Sequence, residues 1–154
     1  GKKTYKHPFE LVYDEHSILT DADRALKNQT AEKLYDMTQQ LAYLVYQVDT
    51  YSAEALARNN KKLVAKLSEL KKSLVVTTGD GYTAAAPPEL RGKMAALYTK
   101  VANNYDKPSS SDLDNLKIIT EKFTTAQSNF EKLKKKLKKQ EEFELKTFED
   151  FLGR

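Results

Sequence analysis

The sequence predicts an all-α protein, an antiparallel bundle of three to four helices behind a short extended lead-in. Three observations predict it. Two long stretches repeat apolar residues at alternating spacings of three and four, the helical period. Pro and Gly are absent from the two longest of these stretches. The 154 residues are 40% hydrophobic and 31% charged, which suits helices with one wet face.

Residues 1–14 form the lead-in, and residues 15–154 a single bundle domain. Phe9, Leu11 and Tyr13 alternate with Glu10 and Val12, and Pro8 blocks an early helix. This segment reads as a linker, or as a last strand, from a preceding domain. The chain begins Gly1-Lys2-Lys3, with neither an initiator Met nor an apolar signal region, and reads as a trimmed piece of a longer protein.

Thr20 is a candidate N-cap for the first helix, with Asp23 placed to reach back to it. Leu34, Met37, Leu41, Leu44, Val48, Tyr51 and Ala55 then make a heptad stripe flanked by Tyr35, Tyr43 and Tyr46. It stops at Arg58-Asn59-Asn60, where Asn favours a turn or a helix end. Leu63, Leu67, Leu70 and Leu74 mark a second helix with lysines on its other faces. With no Pro or Gly at the junction, one continuous helix over residues 21–75 stays open as the alternative.

Val76 to Ala86, with Gly79-Asp80-Gly81, reads as a loop. Pro87-Pro88-Glu89 opens a third helix with a core face of Leu90, Met94, Leu97, Tyr98 and Val101. Asn103 to Pro108 ends it. Ser109 caps the fourth, with Asp112 three residues on, and Leu116, Ile119, Phe123, Ala126, Phe130, Leu133 and Leu137 form its stripe. The register slips near Gln140 before Phe143, Leu145, Phe148, Phe151 and Leu152 resume. The two long helices, about 21–58 and 109–152, are expected to pack antiparallel as the bundle axis.

No catalytic, cofactor or metal site is expected. With no Cys, the chain has no disulfide, zinc ribbon or thiol chemistry. The two histidines, His7 and His16, lie in or beside the lead-in without a recognised ligand spacing. Asp21/Asp23 and Asp112/Asp114 sit at helix starts, where negative charge favours the dipole, so capping explains them better than acid–base work. Gly79-Asp80-Gly81 lacks the rest of a phosphate loop. No apolar run approaches the ~20 residues of a membrane span, and a net charge of +4 is mild for a nucleic-acid binder.

Two surface features remain as candidates. Lys132-Leu133-Lys134-Lys135-Lys136-Leu137-Lys138-Lys139 places six lysines in eight residues, with Lys134, Lys135, Lys138 and Lys139 as possible contacts to an anionic surface. Leu133 and Leu137 stay on the core stripe, and Glu141, Glu142 and Glu144 follow, so a solvated face is the plainer reading. Among nine tyrosines, Tyr43 and Tyr46 could flank a docking surface for another domain, with burial in the bundle as the plainer alternative.

The stretch from Ala86, Ala-Pro-Pro-Glu-Leu-Arg-Gly-Lys-Met-Ala-Ala-Leu-Tyr-Thr-Lys-Val, precedes a polar turn at Pro108-Ser109 and a long helix containing Phe123. It resembles the C-terminal helical region of bacterial secreted proteins with sortilin-like or BNR-type, glycosyl-hydrolase-like β-propellers, where P-x-x-L-R-x-K-x-x-x-L-Y is common. Thr20-x-Ala22-Asp23 and Gln29 resemble the start of that region. Asp14-Glu15-His16 stands where Asp-Pro-Arg is usual, and Ser109 replaces Thr. No Asp-box repeat of the propeller itself is present. The resemblance implies a non-catalytic accessory module giving structural support or docking, with preceding domains of the same polypeptide or a protein partner as its contacts. It also implies a periplasmic or cell-surface location. A free-standing adaptor using residues 132–139 is the alternative.

Overall fold

The computed structural model describes residues 4–10, 12–14, 16–75, 89–136 and 145–153. The described residues form an all-α bundle with the helices α1 (Asp21–Ala57), α2 (Lys61–Leu74), α3 (Leu90–Asn103), α4 (Ser110–Lys134) and α5 (Phe148–Leu152). No strand occurs among them, and the described residues of the lead-in have no regular secondary structure.

Two helices start with the same device. The Thr20 hydroxyl accepts from the Asp23 N–H at 3.1 Å, and the Asp23 carboxylate accepts from the Thr20 N–H at 3.1 Å. Ser109 and Asp112 repeat this reciprocal box at the start of α4. Each box satisfies amide donors that the first helical turn would otherwise leave bare.

The break between α1 and α2 is made by the two asparagines. Asn59 adopts a left-handed φ of 56°, which Asn tolerates better than most side chains. Its N–H donates to the Leu56 carbonyl, and the Asn60 N–H to the Ala55 carbonyl at 2.8 Å. This paired pattern closes a helix by satisfying its last carbonyls. Asn60 then caps α2, its side chain accepting from the Leu63 N–H at 3.1 Å. The chain therefore has two helices here, and the single-helix alternative is set aside.

Helix directions follow from contacts between elements. Lys71 pairs with Asp49 at 2.7 Å, so α2 runs back along the upper half of α1. Asn104, at the end of α3, accepts from Lys27 near the start of α1. Helix α3 thus continues in the direction of α2 and lies along the lower half of α1. Each has 14 residues, or about 21 Å, so together they partner the ~55 Å of the 37-residue α1. The architecture is a three-rod bundle whose middle rod is interrupted between α2 and α3.

This arrangement corrects the expected axis. Met37 meets Thr120 and Tyr51 meets Phe130, so positions advance together and α1 and α4 run parallel. The fourth helix also ends at Lys134 instead of continuing to residue 152, and α5 is a separate helix. Leu137, the Gln140 register slip and the Val76–Ala86 loop lie outside the described residues. The third helix begins at Leu90 with Glu89 as N-cap, and Pro87 and Pro88 are likewise outside.

The core is one cluster drawn from all four long helices. It includes Leu34, Leu41 and Val48 of α1, Leu67 and Leu74 of α2, Met94 of α3 and Phe130 of α4. Every stripe residue named for α1 is buried except Tyr51, which is half-buried and meets Phe130 edge-on at 5.4 Å. Such edge-to-face pairs add roughly 0.5–1.5 kcal/mol beyond area burial.

Candidate functional site

Tyr43 and Tyr46 lie on the same side of α1, their rings 6.0 Å apart and half-buried. The surface they flank is covered by the chain's own α5. Phe148 meets Tyr43 at 5.3 Å, and Phe151 meets Tyr43 at 5.5 Å and Tyr46 at 5.3 Å. The Tyr43 hydroxyl donates to the Lys146 carbonyl at 2.8 Å, and the Lys146 N–H donates to the Tyr46 hydroxyl at 3.3 Å. Rings and hydroxyls together grip both the side chains and the backbone of the incoming segment.

Local sequence makes α5 fit. Thr147 caps it by accepting from the Asp150 N–H at 3.2 Å, and its hydroxyl donates to the Asp150 carboxylate at 2.6 Å. Gly153 closes it at φ 71°, a left-handed conformation open to glycine. Spacing of three places Phe148 and Phe151 on one face. Thr147-x-x-Asp150 has the form of the two helix starts already recognised at Thr20 and Ser109. That was the signal for a new helix here.

The lysine-rich segment occupies the far end of α4. Lys132 and Lys134 lie in the last turn, where positive charge favours the carbonyl end of the dipole. Lys134 pairs with Glu131 at 3.4 Å, and Lys135 is the exposed C-cap. Lys138 and Lys139 lie outside the described residues. The tyrosines face Phe148 and Phe151 while Lys134 faces Glu131, so the two candidate groups serve different contacts. Lys136 shares a cleft with Asn60, Lys62, Leu63 and Lys66 at the start of α2.

The opposite end of the bundle is tied by charge, and sequence reading did not find these ties. Asp112 is buried and accepts from Lys100 at 2.6 Å, from the Ser109 hydroxyl at 2.7 Å and from the Ser109 N–H at 3.0 Å. The Lys100 ammonium, then the Ser109 hydroxyl, hold its carboxyl below the usual carboxylate range despite burial. Asp23 pairs with Lys107 at 2.9 Å, which with the Thr20 hydroxyl lowers it from 3.8 to about 2. These pairs lock α1, α3 and α4 together around the buried Pro108.

The remaining candidates are local. His7 contacts its neighbour's carbonyl, and the His16 N–H donates to Asp14. Asp21 pairs with Arg24, whose guanidinium also stacks over the Tyr13 ring at 3.9 Å. Among the described residues, no group of three or more His, Cys, Asp or Glu could hold a metal ion, and no helix is long and apolar enough to cross a membrane. A groove of about 500 Å³ lies where α2 gives way to α3 and is roofed by α4 residues including Ile118 and Lys122. Comparison with known protein families, with curated proteins and with solved structures finds no match to this chain.

Proposed function

We propose that the chain is a non-catalytic helical module of a larger secreted polypeptide, serving structural support or docking for the domains that precede it. The observation that carries this reading is the lead-in. Tyr5, Phe9 and Val12 are 85%, 82% and 78% exposed on a backbone without regular secondary structure. Among the described residues, 4–13 make no backbone–backbone hydrogen bond. A run of large apolar side chains and unpaired backbone groups is the composition of a segment that pairs with something else. Tyr13, held under Arg24, anchors its near end to α1.

The resemblance of residues 86–101 to the helical region of propeller proteins points the same way, and with it comes location outside the cytoplasm. On this reading substrate recognition belongs to the preceding domains, and the bundle offers a rigid base. The experiment compares amide hydrogen exchange over residues 4–14 in this chain alone and in the full-length polypeptide. Protection gained by about tenfold or more in the longer protein supports the module. Equal exchange in both, or turnover of a substrate by this chain alone, overturns it. The alternative, an adaptor meeting an anionic partner, draws on the other end of the bundle.

A further inference from the structure

We propose that Lys62 and Lys66 of α2, together with Lys136 just past α4, form a binding cleft for a compact oligophosphate anion. The proposal develops the anionic-partner alternative and is independent of the module reading, which rests on the lead-in near the start of α1.

The first support is placement that folding does not explain. Lys61 and Lys62 occupy the first turn of α2, which holds no acidic residue. Positive charge there opposes the helix dipole. Lys62 and Lys66 stand four apart on one helix face, where like charges repel. Lys136 lies beyond the C-cap Lys135 and adds a third cation to the same cleft. A local cost without a local return marks positions held for another purpose.

The second support is contrast within the molecule. At the opposite end, Lys27, Lys100 and Lys107 each have an oxygen partner in Asn104, Asp112 and Asp23. Among the described residues, Lys62, Lys66 and Lys136 have no carboxylate partner and are exposed, and their cleft is lined by no acidic side chain, whereas Lys93 and Lys122 share their groove with Glu89 and Glu121.

The third support is size and chemistry. The cleft holds about 250 Å³, with Leu63 and the capping Asn60 also in its lining. That is below the ~300–1,000 Å³ typical of sites for larger organic ligands. Lysine ammoniums are mobile point charges with three donors, suited to a tetrahedral oxyanion. The planar carboxylate favours the fixed fork of arginine. Two or three linked phosphates place several charges within reach of all three lysines at once.

The test titrates the whole chain with tripolyphosphate by calorimetry at low ionic strength. The expected result is saturable binding to a single site that weakens as salt rises. Lys66→Gln with Lys136→Gln weakens it by about tenfold or more. Lys93→Gln with Lys122→Gln, which removes the same charge beside the α3–α4 groove, changes it by less than about twofold. Circular dichroism confirms that each variant is folded. Equal losses in the two double variants would mean a response to net charge alone and overturn the proposal. Absence of saturable binding overturns it too. So does binding to phosphatidylserine vesicles without binding to tripolyphosphate, which would assign the lysines to a membrane surface.

Discussion

Phe151→Ala tests how α5 is held. Phe151 is half-buried, so its truncation forfeits about 1 kcal/mol of burial. It also loses two ring contacts, at 5.5 Å to Tyr43 and 5.3 Å to Tyr46, worth roughly 0.5–1.5 kcal/mol each. The sum is about 2–4 kcal/mol. Phe148, Leu152 and the two tyrosine hydroxyl bonds bring the gross gain from docking to roughly 5–10 kcal/mol. Ordering the five residues of α5 costs about 5–10 kcal/mol at 1–2 kcal/mol per residue. Net docking is therefore at most a few kcal/mol, and losing Phe151 is enough to release the helix. Once released, α5 contributes nothing further, so Phe148→Ala added to Phe151→Ala costs no more than removing residues 145–154. Exchange at the Phe151 and Gly153 amides, which bond Thr147 and Asp150, should rise by about thirtyfold for each 2 kcal/mol lost. Urea midpoints of the single, double and truncated forms supply the rest, with tyrosine emission as probe because the chain has no Trp. A double variant much less stable than the truncated chain, or one with unchanged exchange at those amides, would refute the clasp.

Acid should loosen the charged end of the bundle first. Asp23 and Asp112 are both lowered in the folded chain, so their stabilisation is full above the ordinary carboxylate value and fades as pH falls toward the folded values, about 2 for Asp23. Urea midpoints between about pH 5 and pH 2 should fall, and Lys107→Met should move the Asp23 carboxyl titration, followed by NMR, upward toward 3.8. An Asp23 titration unmoved by that substitution would contradict the pairing. At the helical break, Asn59→Val should cost about 1–2 kcal/mol because a β-branched side chain resists the left-handed conformation, while Asn59→Gly should be neutral or better. Denaturant melts of the two variants decide it, and equal stabilities would sink the account.

What the sequence made legible was periodicity and caps. The α1 stripe from Leu34 to Ala55 and the boxes at Thr20 and Ser109 are local rules, written in spacings of three and four. Direction was not legible. Two short stripes separated by a loop look like a hairpin, yet α3 continues the course of α2, and that choice turns α4 from antiparallel to parallel with α1. Nothing within either stripe encodes it. It is fixed by contacts such as Lys27 with Asn104, far apart in sequence. The candidate surface shows the same division. The tyrosine pair was visible as an aromatic face for another domain, and the segment that covers it was assigned to a fourth helix running to residue 152, since Phe148, Phe151 and Leu152 resume an apolar pattern. The lysine cleft joins α2 to the end of α4, and only Lys136 of its three lysines lies in the run from 132 to 139.

The interrupted middle rod also bears on how the chain folds. Helices α1 and α2 form a near-local pair, with Asp49 and Lys71 only 22 residues apart. Pairing α1 with α4 joins Met37 to Thr120 across 83 residues, nearly two doublings of loop length. At about 0.6 kcal/mol per doubling, that closure costs roughly 1 kcal/mol more than the first. The hairpin can form early and wait, and α4 must seat against a surface already built by three other helices. If, unlike in a bundle of successive hairpins, this last long-range encounter sets the folding rate, substitutions on the α1-facing side of α4 should slow folding as well as speed unfolding.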